Sequence, residues 1–90
     1  MAWRVEMTDT AYRQLSKLDR RMQVAIVRYL RQRIVSDEDP RRFGRLLHRD
    51  LSGLWRYRVA DHRVICDIRE DEKLVLVVHI GHRSKAYGGH

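Results

Sequence analysis

The sequence predicts a single α+β domain of order β-α-α-β-β-β, in which an N-terminal helical hairpin packs on one face of a four-stranded, mostly antiparallel sheet. Three observations predict it. Apolar residues recur at helical spacing between residues 11 and 34, and they alternate with polar ones near the N-terminus and again after residue 54. The later strands are separated by turns too short for anything but antiparallel neighbours. The 90 residues hold no repeat, low-complexity tract or Ser/Gly linker, so residues 1–90 read as one domain near the lower size limit for an unaided core.

Each element has its own signal. Trp3, Val5 and Met7 alternate with Arg4 and Glu6, the pattern of a half-buried strand. Thr8 or Asp9 can cap a short helix that carries Ala11, Leu15 and Leu18 on one side. Asp19 can cap a second helix, from about Arg20 to Val35, whose stripe is Met22, Ala25, Ile26, Tyr29, Leu30 and Ile34. Arg21, Arg28, Arg31 and Gln32 lie towards solvent. Ser36-Asp37-Glu38-Asp39-Pro40 ends that helix. Residues 41–53 read as an irregular basic connector, with Leu46 and Leu47 tucked against the body. Strands follow at Leu54–Val59, Arg63–Arg69 and Leu74–Ile80, joined by turns at Ala60-Asp61-His62 and Asp71-Glu72. Leu74-Val75-Leu76-Val77-Val78 is apolar on both faces, as a central strand should be, and the first strand pairs beside it. Residues 81–90 form a short C-terminal tail.

Charge is the first pointer to function. Nineteen Lys+Arg oppose twelve Asp+Glu, for a net charge of +7, and arginine far outnumbers lysine. Guanidinium binds phosphate bidentately and stacks on bases, so the excess points to nucleic acid or another polyanion. A solubilising charge, or one neutralised by an acidic protein partner, is the plainer alternative. The lone Cys66 excludes an intramolecular disulfide and a Cys-based zinc site. No apolar run has signal-peptide or membrane-spanning character, so the expected location is the cytoplasm.

Strand alternation sorts the basic residues. Trp55, Tyr57 and Val59 face the helices together with Val64, Cys66 and Ile68, which sends Arg56, Arg58 and Arg63 to the opposite face. Arg83 and Tyr87, after the last strand, can reach the same end of the sheet, and Arg41, Arg42, Arg45 and Arg49 can add a rim. Like charges this close repel one another, so such a cluster makes sense chiefly around a bound anion.

The runs Gly53-Leu54-Trp55-Arg56-Tyr57-Arg58-Val59, His62-Arg63-Val64-Ile65 and Gly81-His82-Arg83 with Tyr87 resemble the RelE toxins of the RelE/ParE superfamily of bacterial toxin–antitoxin systems. The resemblance spans nearly the whole chain. It implies a metal-independent, ribosome-dependent endoribonuclease that cleaves mRNA in the A site by 2′-hydroxyl attack, needs no cofactor, and is neutralised by a cognate antitoxin. By position it assigns Arg56 and Arg58 to the flanks of the scissile phosphate and Arg63 to bracing it. It assigns Arg83 to transition-state stabilisation or leaving-group protonation, and Tyr87 to base stacking or to aiding 2′-hydroxyl attack. Arg41, Arg42, Arg45, Arg49, His82 and Lys85 are the expected RNA-binding rim. The better-studied family member has lysines at positions 56 and 58. Lysine crowded by positive charge can act as a base, whereas arginine effectively cannot. His82, His62 or Lys85 could take that part, since no glutamate falls on the arginine face.

Other residues have simpler assignments. Cys66 alternates with Val64 and Ile68 as an inert buried thiol. The five histidines share no metal-ligand spacing, and Arg28, Arg31 and Arg33 decorate a solvated helix face. Two rival functions share the fold, a ParE-like inhibitor of DNA gyrase and an inactive RNA- or ribosome-binding module.

Overall fold

A computed structural model describes residues 3–34, 39–40, 44–46 and 53–82. Strand β1 (Arg4–Met7) leads into helix α1 (Asp9–Ser16) and helix α2 (Arg20–Tyr29). Strands β2 (Arg45–Leu46), β3 (Leu54–Val59), β4 (His62–Arg69) and β5 (Leu74–His82) follow. They form one sheet in the order β1-β5-β4-β3-β2, antiparallel throughout except for the parallel pair β1–β5. The sheet therefore has five strands where four were expected. The fifth arises because Arg45 and Leu46 pair with Arg56 and Trp55 along the edge of β3. Leu46 does not tuck inward: at the outer edge of the sheet it stays 51% exposed. Leu47 lies outside the described residues.

Both helices start where the sequence indicates. Thr8 Oγ1 accepts from Ala11 N–H at 3.1 Å, and Asp19 Oδ1 accepts from Met22 N–H at 2.8 Å, each satisfying a donor the first helical turn leaves open. Gln23 Nε2 lies within 3.2 Å of the carbonyls of Leu15, Ser16 and Leu18, which closes the hairpin between α1 and α2. α2 is shorter than expected, because Leu30–Ile34 forms a π-helical turn. A wider turn rotates Ile34 back into line with Ile26, and both are fully buried.

The core lies between the hairpin and one face of the sheet. It is built from Trp3, Ala11, Ile26, Leu30, Ile34, Tyr57, Val59, Val64, Cys66, Val75, Val77 and Ile80, with Trp55, Ile68 and the remaining helix-stripe residues packed against it. Alternation assigned the core residues of β3 and β4 correctly, whereas β5, which reads as apolar on both faces, breaks its period after Val77. Cys66 pairs with Val77 but Ile65 pairs with His79, so Val78 is an extra residue. β5 also runs two residues past Ile80, and Gly81 and His82 belong to the strand rather than to the tail. Burial raises the pKa of the Cys66 thiol far above its ordinary range, as befits a packing residue.

Candidate nucleic-acid interface

The outer face of the sheet, away from the hairpin, collects arginines by register alone. Arg45 stands opposite Arg56, and Arg56 stands opposite Ile65. One level along, Arg58 stands opposite Arg63, and Arg63 opposite Gly81. Directly paired residues share a face, so Arg45, Arg56, Arg58 and Arg63 form a two-row cationic patch across β2, β3 and β4. Ile65, 1% exposed yet outside the helix-side core, is its apolar floor.

The electrostatics show that these charges are close enough to matter. The pKa of Arg56 is lowered, first by burial and then by Arg63, Arg58 and Arg45. Arg63 Nε is buried and has no hydrogen-bond partner among the described residues. Holding cations together and partly dry works against folding, and a bound phosphate would offset that cost.

Of the residues singled out in the sequence, Arg45, Arg56, Arg58 and Arg63 are thus brought together. Arg41, Arg42, Arg49, Arg83, Lys85 and Tyr87 lie outside the described residues. His82 is placed elsewhere: it pairs with His62, which pairs with Val59 of the helix-side core, so both imidazoles lie on the face opposite the arginines. There His62 Nδ1 and His82 Nε2 sit 2.9 Å and 3.2 Å from the two oxygens of Asp61, with the rings edge-to-face at 5.4 Å. Those contacts, led by the His62 hydrogen bond, hold the Asp61 carboxyl below its usual range.

Acidic groups and one histidine on the outer face were missed. Glu6, expected off the arginine face, shares a row there with Leu76 and Asp67, because Val5 and Met7 beside it turn to the core, and its carboxylate accepts from Arg4 Nε at 3.2 Å. Asp67 follows Arg63 and Ile65 in alternation, and its carboxylate accepts from Arg69 Nε at 3.2 Å. Parity along β4 would have found it. His79 pairs with Ile65, and only the bulge at Val78 brings it there. Among the described residues, no group of three or more His, Cys, Asp or Glu side chains is arranged to hold a metal ion. The patch is suited to binding an anionic chain and stabilising charge on it.

A family model for the ParE toxin of type II toxin–antitoxin (parDE) systems matches residues 5–87. Toxin RelE of Mycobacterium tuberculosis is 33% identical over 85 residues, covering 94% of this chain and 86% of the relative. Toxin RelG of the same organism is 30% identical over 87 residues, covering 97% and 98%. The chain also superposes on a chain of the RelBE2 toxin–antitoxin complex of M. tuberculosis with a TM-score of 0.84 at 28% identity, covering 94% of this chain and 95% of that one. With matches running through almost its whole length, the chain belongs to the RelE/ParE family of type II toxin–antitoxin toxins.

Proposed function

We propose that this toxin is a ribosome-dependent endoribonuclease that cuts mRNA in the A site, and that the outer sheet face is its catalytic surface. The observation that carries this reading is the register-built cluster of Arg45, Arg56, Arg58 and Arg63, close enough for its members to depress the pKa of Arg56. RNA supplies its own nucleophile in the 2′-hydroxyl, so the protein need only align the strand and stabilise charge as it builds on the phosphoryl oxygens. Arg56 and Arg58 flank the phosphate and Arg63 braces it, while Arg45 extends the contact along the backbone. Arg83 and Tyr87 complete the set by their sequence positions. Cutting mRNA on ribosomes places the protein in the cytoplasm.

The partner is a cognate antitoxin, a reading supported by the toxin–antitoxin complexes among the structural neighbours. Its seat in this proposal is the outer side of the helical hairpin. There Tyr12 is 64% exposed, Val24 and Val27 are also exposed, and a groove of about 350 Å³ runs between Tyr12, Leu15, Gln23 and Val27. Arg20 borders this apolar strip and Arg28 is exposed beside it, a surface matched to an amphipathic helix with acidic flanks.

The test is inducible expression with mapping of mRNA 5′ ends. Wild type should arrest growth and produce cuts at ribosome-occupied codons, and Arg63→Ala should slow cutting by about 100-fold, on the scale of losing one oxyanion donor. Growth arrest with intact mRNA and a DNA-damage response would instead favour gyrase inhibition. That second reading has one specific observation behind it, the ParE description of the matching family model.

A further inference from the structure

The β5 bulge decides which histidine shares the outer face with the arginines. Val77 and Ile80 are both buried in the helix-side core, although they are three residues apart and strict alternation would send them to opposite faces. The extra residue, Val78, reconciles them. His79 therefore stands at the β5 end of the row Arg45, Arg56, Ile65, while His82 turns to the helix side.

His79 is also held in a defined chemical state. β1 stops at Met7, opposite Val77, so the next level of the β5 edge must be satisfied by something other than a strand. Gln14 of α1 supplies that. Its Oε1 accepts from Ile80 N–H at 2.7 Å, and its Nε2 lies 3.1 Å from His79 Nδ1. With the amide oxygen committed to a backbone donor, the amide nitrogen must donate, so Nδ1 accepts. A neutral imidazole whose Nδ1 accepts carries its proton on Nε2. Burial favours the neutral form by lowering the ring's pKa. The charged groups beside Gln14 on α1 are Arg13 and Lys17, and the row across the sheet adds Arg45 and Arg56. The next row of the same face carries Glu6 and Asp67, each already bonded to a neighbouring arginine, Arg4 and Arg69. The cations of the His79 row disfavour an imidazolium.

We infer that His79 is a substrate-contacting residue of the outer face, its Nε2–H donating to an oxygen of the RNA strand, with Gln14 as the positioning residue that fixes its tautomer. The inference rests on the RNA-cleaving reading above. A neutral donor adds direction to a surface whose arginines supply charge, and it does so without further repulsion.

The experiment uses the full chain, histidine-labelled with ¹⁵N, and a single-stranded 2′-O-methyl oligoribonucleotide that cannot be cut. The free protein should show His79 as the Nε2-protonated tautomer, and the oligonucleotide should shift that resonance. His79→Ala should weaken binding by about 3- to 10-fold, the scale of one hydrogen bond. Gln14→Glu keeps the acceptor for Ile80 N–H but cannot donate to Nδ1. It should raise the His79 pKa, so that binding changes with pH at higher values than it does in the wild type. An Nδ1-protonated tautomer in the free protein overturns the inference. So does unchanged binding by His79→Ala under conditions where Arg56→Ala binding collapses, and in that case the RNA reading survives. A wild-type protein that neither binds the oligonucleotide nor cuts mRNA removes both.

Discussion

Tyr57 joins three parts of the chain that are far apart in sequence. Its phenol is fully buried, donates to the Pro40 carbonyl at 2.8 Å, and meets Tyr29 edge-to-face at 6.2 Å. Tyr57→Phe keeps the ring but strands a buried carbonyl, so it should lower stability by about 1–2 kcal/mol. Urea melts should show a lower midpoint at an unchanged slope. A Cβ at Gly44 would sit 2.9 Å from Tyr57 Cε1 and 3.1 Å from the Arg56 carbonyl, so Gly44→Ala should lower stability by about 1–3 kcal/mol through overpacking. Because that clash is with the ring, Tyr57→Phe should not relieve it. At Arg56, stability and the proposed RNA-binding role pull in opposite directions. Its lowered pKa means that the folded chain disfavours its charge relative to the unfolded one. For a base this penalty is fully present at every pH well below the lowered value and eases only as pH rises towards it. Arg56→Met should therefore raise the melting temperature while RNA affinity falls, and the gain should shrink at high salt. The inward direction of Tyr57 was legible from its alternation with Trp55 and Val59. Its bond to Pro40 was not, because it depends on the path of a connector with no periodic signal.

At the level of elements, starts were more legible than ends. Thr8 and Asp19 are capping residues set just before apolar stripes, a local signal that acts within one turn. Where α2 changes winding is set by the demand that Leu30 and Ile34 both reach the core, and that is a tertiary requirement. The bulge at Val78 is equally silent in sequence. A run of Leu, Val and Ile looks the same whether or not one residue is skipped, and no glycine marks the place. That one extra residue turns His82, expected on the RNA-binding rim, to the helix side, and brings His79, for which no face was expected, to the outer one. The β3–β4 connection carries a clearer mark of strain. Ala60 sits at φ 55° in a two-residue turn, a left-handed conformation that penalises a side chain. Ala60→Gly should raise stability by about 1 kcal/mol, read as a higher denaturation midpoint. Asp61→Asn in the same turn tests the two-histidine contact. The lowered carboxyl pKa contributes stability above the ordinary carboxylate range, lost as pH falls through the lowered value, so the variant should flatten the melting temperature below about pH 4.

At the scale of the whole molecule, different charges set the stability near neutral pH and the RNA affinity that the proposed function requires, and the two can be separated experimentally. His79 has a lowered pKa, so just below pH 6.5 the unfolded chain binds a proton that the folded chain does not. Stability must therefore rise with pH through that window and fall on acidification, and His79→Ala should reduce that slope. The RNA affinity of the proposed function should respond to salt instead. The net charge of +7 does not itself set the response, because only cations that replace counterions on the strand count. Of the described basic residues on the outer face, Arg4 and Arg69 are already paired with Glu6 and Asp67, so the strand is expected to meet Arg45, Arg56, Arg58 and Arg63, whereas Arg21, Arg28 and Arg31 are exposed on the hairpin across the sheet. If each of the four meets one phosphate, the logarithm of the binding constant should fall with the logarithm of salt concentration at a slope of about −3, since a single strand gives about −0.7 per phosphate neutralised. Fluorescence anisotropy with the uncleavable oligoribonucleotide between about 50 and 200 mM salt measures it. Arg58→Ala should make the slope shallower by about 0.7, and Arg28→Ala should leave it unchanged. A slope that responds equally to both variants would mean that RNA follows the net charge of the protein rather than its sheet face, and the catalytic surface would have to be sought elsewhere.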